Sequence, residues 1–484
     1  MISNSITETM EDHALERVPD AEREGWLQIT WNTAGLITTL VILFFGAVVC
    51  FVAGVKIALA AGLVSFAIGS SIGWAIARIA WQTGCSNTLI TRKYGLGIRG
   101  SALASLIFGC LIVGFLAVEN GLLYRGFLFF FEIDNSWPAR LAIYGGMTVA
   151  WILLTAFGFK LVTRFSSVML IGFIAVLGWM VLVVVQQSGG TFADALWFES
   201  QMQPAVLTGM GVESDWDKFV FSLNILIGPA CALALNTADF GRYGKSTADV
   251  GIAAGIAIFT QSVIVMLIGG VLMKSGATLM TEYYINVVGM DADMAKARVL
   301  QSPDSIAATF MVFGGLTGFV LMLFAQAKAQ VLNSYSSSLC IANLADAVFR
   351  WRPGRVVFVV LANVIALVML YGHILELVEA WIQLMGVLLS ALASVIIMDY
   401  YFVSPRLAAG DGHAGHDDTG REDASREGNG ESINWSGVIA IITAVIVAHF
   451  VLRDYFRLEV LSSILCVVCV YPLLRLKLLR TSVA

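Results

Sequence analysis

Charged side chains are scarce in this sequence. Asp, Glu, Lys and Arg make up 13% of the 484 residues, whereas 58% are hydrophobic and the mean hydropathy is +0.82. A water-soluble domain of this size cannot bury so much apolar surface. Apolar segments of roughly 18 residues or more, each long enough to cross a bilayer, recur along almost the whole chain. The composition therefore excludes a water-soluble protein and predicts an integral membrane protein whose helices span the lipid.

The sequence also lacks two common signatures of catalysis. It contains no H-E-x-x-H metalloprotease motif and no phosphate-binding loop. A sizeable soluble signalling domain is missing as well, because the polar segments between the apolar ones are short. These absences argue against a membrane enzyme and against a membrane sensor. They favour a transporter, for which we expect no cofactor, no resident metal ion and no nucleic-acid partner.

Proline is rare, at 8 residues, so its positions are informative. Pro229 follows Gly228 in the middle of an apolar segment at 218–246. A proline there removes a backbone donor and clashes with the preceding helical turn. In hydrocarbon such a defect is tolerated only where protein or a polar cavity covers it. We therefore predict a helix broken at mid-depth, and a candidate ligand site, at Gly228, Pro229 and Ala230. A plain proline kink is the alternative.

The length criterion predicts about twelve spanning helices. Ten lie within residues 26–402, after a polar, acidic N-terminal tail at 1–25. A polar linker at 403–432 separates these ten from two further spans and a short tail at 433–484. This arrangement favours a transport core of five plus five helices with an appendix. Secondary transporters of that architecture place their site between two inverted repeats.

Basic residues near the ends of the spans predict the orientation. With the N-terminus in the cytoplasm, about twice as many of these residues lie inside as outside, as the positive-inside rule requires. The linker at 403–432 is then cytoplasmic. No cleavable signal peptide precedes the first span. The sequence thus predicts a multi-pass protein of the inner, or plasma, membrane.

Four motifs resemble those of a known family. The stretch NTADFGRYGK at 236–245 resembles the end of the sixth span in the nucleobase–cation symporters, which include cytosine and purine permeases and hydantoin and allantoin carriers. Three others resemble that family's eighth, tenth and eleventh spans, namely IANLAD at 341–346, IIMDYYF at 396–402 and INWSGVIA at 433–440. The resemblance implies an all-α membrane fold of about twelve helices. It is the LeuT-like five-plus-five inverted repeat, in which helices one and six are broken.

The resemblance also assigns a substrate site. The unwound part of the sixth helix corresponds to Gly228, Pro229 and Ala230, and relatives often place a base-stacking ring there, which Ala230 lacks. Phe115 of the third helix stands where cytosine permeases carry a Trp, and a Phe can still stack on a planar ring. Ile112 replaces a residue with an amide side chain. The site therefore departs from a cytosine pocket.

Intramembrane polar residues add candidates to the substrate site. Glu119 lies four residues after Phe115 and hence on the same helix face. It is expected to accept hydrogen bonds from substrate N–H groups, to bind a cationic substrate or to pair with Lys328. Gln326 and Gln330 share a face of the eighth span, where they serve as ligands or as links between helices. Of these two, Gln326 is the preferred substrate ligand.

Lys328 lies near the middle of the eighth span, in FAQAKAQ at 324–330. A charge there costs at least ~2.5–3.5 kcal/mol on insertion scales, so it faces protein or water. In sodium-coupled relatives this stretch supplies sodium ligands. We expect the Lys328 ammonium to occupy the cation's place and to donate to carbonyls at the break in the first helix, around Gly35, Thr38 and Thr39. A structural or snorkelling lysine is the alternative.

These features predict a secondary active permease that imports a nucleobase or a related small planar nitrogen heterocycle by alternating access. Transport is expected to be independent of sodium, because Lys328 replaces the sodium ion, and either coupled to protons or uncoupled. One alternative is a sodium-coupled nucleobase symporter. Another is a carrier of a cationic amine or guanidine-like compound held by Glu119. A non-transporting membrane sensor is the least favoured interpretation.

Overall fold

The computed structural model describes most of the chain, namely residues 17–37, 39–131, 133–156, 159–187, 189, 191–286, 289–301, 314–375, 377–410, 431–453 and 455–482. Seven helices in these ranges are long and apolar enough to cross a membrane, and four shorter ones are also apolar. With the 34-residue helix Leu316–Phe349, they account for the twelve predicted spans.

The first five spans precede a long polar connection. The first span consists of two helices, Trp26–Ile37 and Leu40–Ala53. The second to fifth spans are Val55–Thr83, Ser101–Phe131, Trp137–Ala156 and Phe159–Gln187. Three short helices occupy the loops, at Asn87–Lys93, Phe192–Leu196 and Pro204–Gly209.

The sixth to ninth spans follow this connection. The sixth is Asp215–Gly241, and the seventh comprises Thr247–Phe259, a π-helical turn at Thr260–Val265 and Met266–Asn286. The loop helix Ala292–Gln301 leads towards the eighth span, Leu316–Phe349, and the ninth, Arg355–Tyr371.

The tenth and eleventh spans contain a π-helical turn, and the twelfth contains a proline. The tenth, Val378–Met398, continues through a π-helical turn at Asp399–Val403 into Ser404–Gly410. The eleventh is Trp435–Val445 with a π-helical turn at Ile446–Val451, and the twelfth is Glu459–Ser482.

Side-chain caps explain where the sixth span begins. Ser214 precedes the helix in an extended conformation, and its hydroxyl accepts a hydrogen bond from the Asp217 amide at 3.1 Å. The Asp217 carboxylate accepts one in return from the Ser214 amide at 3.0 Å. This reciprocal capping box satisfies donors that the first turn would otherwise leave unpaired. The local sequence therefore fixes the start of the sixth span.

The N-terminal segment defines one end of the molecule, which we call the inner end. Arg23 donates to the carbonyls of Trp81 and Gly244, each at 3.1 Å. The Val18 amide donates to the Gly84 carbonyl at 3.0 Å. These bonds hold the segment against the ends of the second and sixth spans.

The first span is interrupted, as predicted. Its first helix ends at Ile37, and Thr39 has an extended backbone, with φ −106° and ψ 160°, before the second helix begins at Leu40. Thr38 lies outside the described residues. A β-branched residue loses rotamer freedom in a helix, and threonine is favoured at a helix N-cap. The threonine pair therefore suits a helix that stops and restarts.

The sixth span differs from the expectation, because it remains one helix through Pro229. Gly228 has a packing role instead: a Cβ on Gly386 of the tenth span would lie 3.0 Å from the Gly228 Cα. A membrane helix retains a proline when neighbouring helices and local adjustments satisfy the freed backbone groups. The predicted break at Gly228 is therefore wrong, because the sixth span stays helical where it packs against the tenth.

Corresponding helices of the two halves pack against each other. The first span contacts the sixth, the second contacts the seventh, the third contacts the eighth and the fourth contacts the ninth. The most extensive of these contacts joins the third and eighth spans. Such pairing is what two inverted repeats related by a pseudo-two-fold axis produce.

A substitution at Gly386 tests the backbone contact between the sixth and tenth spans. Gly386→Val places a branched side chain against the Gly228 backbone, and overpacking of this kind costs about 1–3 kcal/mol. The matched control is Gly255→Val, since a Cβ at Gly255 of the seventh span meets no atom within 4 Å. We expect a lower melting temperature in detergent for Gly386→Val than for Gly255→Val. Equal melting temperatures would contradict the contact.

Candidate functional site

A small cavity of about 30 Å³ lies where the first, third, sixth, seventh and eighth spans meet. Its polar lining consists of Thr39, Glu119, Asn236, Gln261 and Asn333. The apolar lining consists of Leu36, Val41, Ile42, Ile112, Phe115, Pro229, Ala232 and Leu233. A space of this size holds a few water molecules at most. The surrounding helices must move apart to admit a heterocyclic ring.

The restart of the first span gives the cavity a set of backbone donors. The helix Leu40–Ala53 begins at the cavity wall, where Thr39, Val41 and Ile42 are all lining residues. The first amides of a helix have no partner within it, and the helix dipole is positive at that end. This end of the cavity is therefore suited to a carbonyl oxygen or an anionic group of a ligand.

Phe115 lines the cavity and has an aromatic partner in the tenth span. Its ring meets that of Trp381 edge to face, with centroids 5.4 Å apart and planes at 86°. Gly114 leaves the room for this ring, because a Cβ there would collide with the Trp381 indole. Sequence reasoning identified Phe115 but missed Trp381, which lies in a remote span and carries no motif.

Glu119 and Lys328 lie buried between the third and eighth spans. Glu119 is 2% exposed and Lys328 is 0% exposed, and their charges interact electrostatically. The Lys328 ammonium also lies over the Phe173 ring of the fifth span, 4.5 Å from its centroid. The Glu119 carboxylate also borders the cavity, so pairing with Lys328 and contact with the substrate both stay predictions.

The two glutamines of the eighth span have different surroundings. The Gln330 side chain donates to the Leu116 carbonyl of the third span at 2.8 Å, so it links the two helices. Gln326 is fully buried, and neither atom of its amide group has a hydrogen-bond partner within the described ranges. An unsatisfied buried amide is costly. Gln326 therefore remains a candidate ligand, although it is not among the lining residues of the cavity.

The remaining predicted residues are placed as follows. Of the sixth-span triplet, only Pro229 lines the cavity. Ala230 instead faces the second span, where a Cβ on Gly69 would lie 3.0 Å from the Ala230 Cβ. Gly35 belongs to the helix that ends at Ile37. Thr38 is outside the described part of the chain, whereas Thr39 lies at the cavity.

Gln261 is a cavity residue that sequence reasoning missed. It is 5% exposed, and its amide nitrogen has no hydrogen-bond partner among the described residues. The π-helical turn Thr260–Val265 of the seventh span carries it. Such turns insert an extra residue and often occur at functional sites. The signal in the sequence was a polar Gln-Ser pair inside an apolar span.

The family motif of the sixth span secures its inner end. The Asp239 carboxylate accepts a hydrogen bond from the Asn87 amide at 2.8 Å. Arg242 is fully buried, and its guanidinium donates to the Tyr335 hydroxyl of the eighth span at 2.8 Å. Near the cavity, Ser336 donates to the Asn236 side chain at 3.0 Å. The motif thus joins the sixth span to the eighth and to the loop after the second.

Solved structures share this architecture. The chain aligns with the inward-facing conformation of Mhp1 at 15% identity and a TM-score of 0.68, over 97% of this chain and 93% of that one. It also aligns with Mhp1, a nucleobase-cation-symport-1 family transporter, in a closed conformation with bromovinylhydantoin bound. That alignment has 14% identity and a TM-score of 0.69, over 98% of this chain and 96% of that one.

A more distant structural relative has a different cargo. For a Na+-coupled sialic acid symporter the values are 12% identity and a TM-score of 0.58, over 98% of this chain and 94% of that one. Identities this low establish the fold alone, which is the LeuT-like inverted repeat expected from the sequence. The search of curated proteins found no match.

The family comparison is decisive for membership. The model of the permeases for cytosine/purines, uracil, thiamine and allantoin matches residues 28–471. That range covers all twelve spans except the start of the first and the end of the twelfth. It also contains the four motifs that carry the resemblance. The chain therefore belongs to the cytosine/purine permease family.

Proposed function

We propose that this transporter imports a nucleobase or a related small planar nitrogen heterocycle by alternating access. The observation that carries the proposal is the meeting of three elements at one cavity: the Phe115 ring, the Glu119 carboxylate and the restart of the first span at Thr39. Together they offer a stacking surface, a hydrogen-bond acceptor and backbone donors. Family membership supports the same class of cargo.

The polar groups of the cavity suit a ligand with both N–H and C=O groups. Glu119 accepts from a ring N–H, and the first amides after Thr39 donate to a ring carbonyl. The Gln261 amide supplies a further donor from the opposite wall. Phe115 stacks on the ring, and Pro229 closes the wall formed by the sixth span. A planar heterocycle with alternating donors and acceptors satisfies all of these groups at once, as ligand sites in proteins require.

We further propose that import is independent of sodium, with coupling to protons or none. Lys328 is fully buried in the eighth span, which packs against the broken first span. In this proposal the Lys328 ammonium donates to the first-span carbonyls predicted from the sequence, those of Gly35, Thr38 and Thr39. It would then repel a second cation, because Coulomb energies are large where water is excluded. In this arrangement the N-terminus lies in the cytoplasm and the protein resides in the inner, or plasma, membrane.

A cationic amine or guanidine-like cargo is the second candidate. One oxygen of the buried Glu119 carboxylate, Oε2, has no hydrogen-bond partner within the described ranges. A ligand cation would satisfy it. The electrostatic interaction of Glu119 with Lys328 weighs against this candidate, because the carboxylate already neutralises one positive charge.

Substitution of Phe115 tests the stacking surface. Phe115→Ala removes an edge-to-face partner and the stacking ring, and aromatic contacts of this kind contribute about 0.5–1.5 kcal/mol beyond burial. We expect at least a severalfold loss of affinity for whichever of uracil, cytosine, hypoxanthine, hydantoin or allantoin the purified protein binds, measured by thermal shift and proteoliposome uptake.

The control for Phe115 is a similar aromatic pair elsewhere. Phe66 and Phe259 meet edge to face with centroids 5.2 Å apart, and neither lines the cavity. Phe259→Ala should leave affinity unchanged. If the protein binds none of the heterocycles but binds an amine or guanidine compound, the second candidate function replaces the first.

Sodium dependence and Lys328 are tested together in proteoliposomes. Replacing sodium by choline should leave import by the wild-type protein unchanged, since the lysine supplies the positive charge. Lys328→Ala should abolish import or change its pH dependence. Lys56→Ala is the control, because the Lys56 side chain is 76% exposed. A strict sodium requirement of the wild type, or normal pH-insensitive import by Lys328→Ala, would refute this role.

A further inference from the structure

A second and larger cavity, of about 720 Å³, opens at the inner end of the molecule. It lies beside the end of the eighth span, the loop that leads into the third span, and Ser432. Its lining residues and those of the substrate cavity are entirely different. Four of them are arginines and one is an acid, namely Arg92, Arg99, Arg350, Arg352 and Asp346.

Asp346 is shared between two of the arginines. Its carboxylate accepts from the Arg92 guanidinium, and it accepts from the Arg352 Nε at 2.5 Å. Arg92 is fixed further by a hydrogen bond of 2.8 Å from its Nε to the Asn343 side chain. One negative charge thus faces four positive ones, and the lining carries an excess of three positive charges. An excess of like charge lining a cleft favours the entry of an anion.

Arg350 reaches the cavity from a backbone conformation that favours glycine. It follows the last residue of the eighth span with φ 54° and ψ 33°, in the left-handed region. Glycine is the usual residue at this position of a helix end, because a Cβ there is sterically disfavoured. An arginine held in such a conformation at the wall of a positive cavity is an outlier of the kind that marks functional sites.

Backbone hydrogen bonds fix the opposite rim of the cavity. The Ile98 amide donates to the Glu431 carbonyl at 3.0 Å, and the Arg99 amide donates to the Ser432 carbonyl at 2.7 Å. The Asn434 amide donates to the Leu96 carbonyl at 2.7 Å. These bonds join the loop before the third span to the start of the eleventh. Arg99 is therefore presented from an ordered segment, and the cavity is preformed.

We propose that this cavity binds a phosphate group, carried either by an anionic phospholipid of the inner leaflet or by a free phosphate compound. Arginine guanidiniums match phosphate oxygens in forked, charge-assisted hydrogen bonds. The cavity lies at the inner end beside the end of the eighth span and the loop before the third. In the proposed orientation this end is cytoplasmic, where basic pockets between helices bind lipid headgroups. The site is independent of the cargo in the substrate cavity.

The test uses the full-length, delipidated protein and its melting temperature. The probes are phosphatidylglycerol, phosphatidylcholine as a zwitterionic control, and inorganic phosphate. The variants are Arg350→Gly and Arg99→Gln, with Arg406→Gln as a control for loss of an inner-end arginine outside the cavity. Arg350→Gly should be at least as stable as the wild type without a probe, because glycine relieves the left-handed backbone.

We expect the stabilising probe to raise the melting temperature of the wild type and of Arg406→Gln. Its shift should fall by at least half in each of Arg350→Gly and Arg99→Gln. Stabilisation by phosphatidylglycerol alone assigns the lipid as the source, and stabilisation by inorganic phosphate assigns a free phosphate compound. Equal shifts in the wild type and both cavity variants, or no shift of the wild type with any probe, would overturn the proposal.

Discussion

The burial of two opposite charges, Lys328 and Glu119, in the neighbouring third and eighth spans is the constraint on which the rest of the site depends. Neither side chain reaches solvent to a significant extent, and their charges interact across the contact between the third and eighth spans. Removing one partner of a buried pair leaves an uncompensated charge, which is strongly destabilising. The two charges therefore couple corresponding helices of the two repeats electrostatically and influence the character of the neighbouring cavity.

The other polar contacts extend this connection along the interface of the repeats. Gln330 ties the eighth span to the third, and Ser336 ties it to Asn236 of the sixth. Where no side chain intervenes, glycines allow the sixth and tenth backbones to touch. The first span is interrupted at this interface and supplies free helix amides. The cavity that we propose for the substrate lies between these contacts, so alternating access would widen it by moving the two repeats apart.

Hydrophobic length was sufficient to predict the spans, since each must cross the same thickness of lipid. Phe115, Glu119 and Pro229, predicted to bind the substrate, and Thr39, predicted to accept from Lys328, line one cavity, and their roles there stay predictions. The predicted break at Gly228 was wrong. Whether a proline interrupts a membrane helix depends on the neighbouring helices, and a single sequence does not show the contact with Gly386. Trp381 and the π-helical turn that carries Gln261 depend on remote packing in the same way.

A double-mutant cycle on the free energy of unfolding is the most direct test of the buried pair. It compares Glu119→Gln, Lys328→Met and the double variant with the wild type in detergent. The account predicts strong destabilisation by each single change and a double variant less destabilised than the sum, with a coupling of at least about 1 kcal/mol. Additivity within about 0.5 kcal/mol would show that the two charges act separately and would contradict the account.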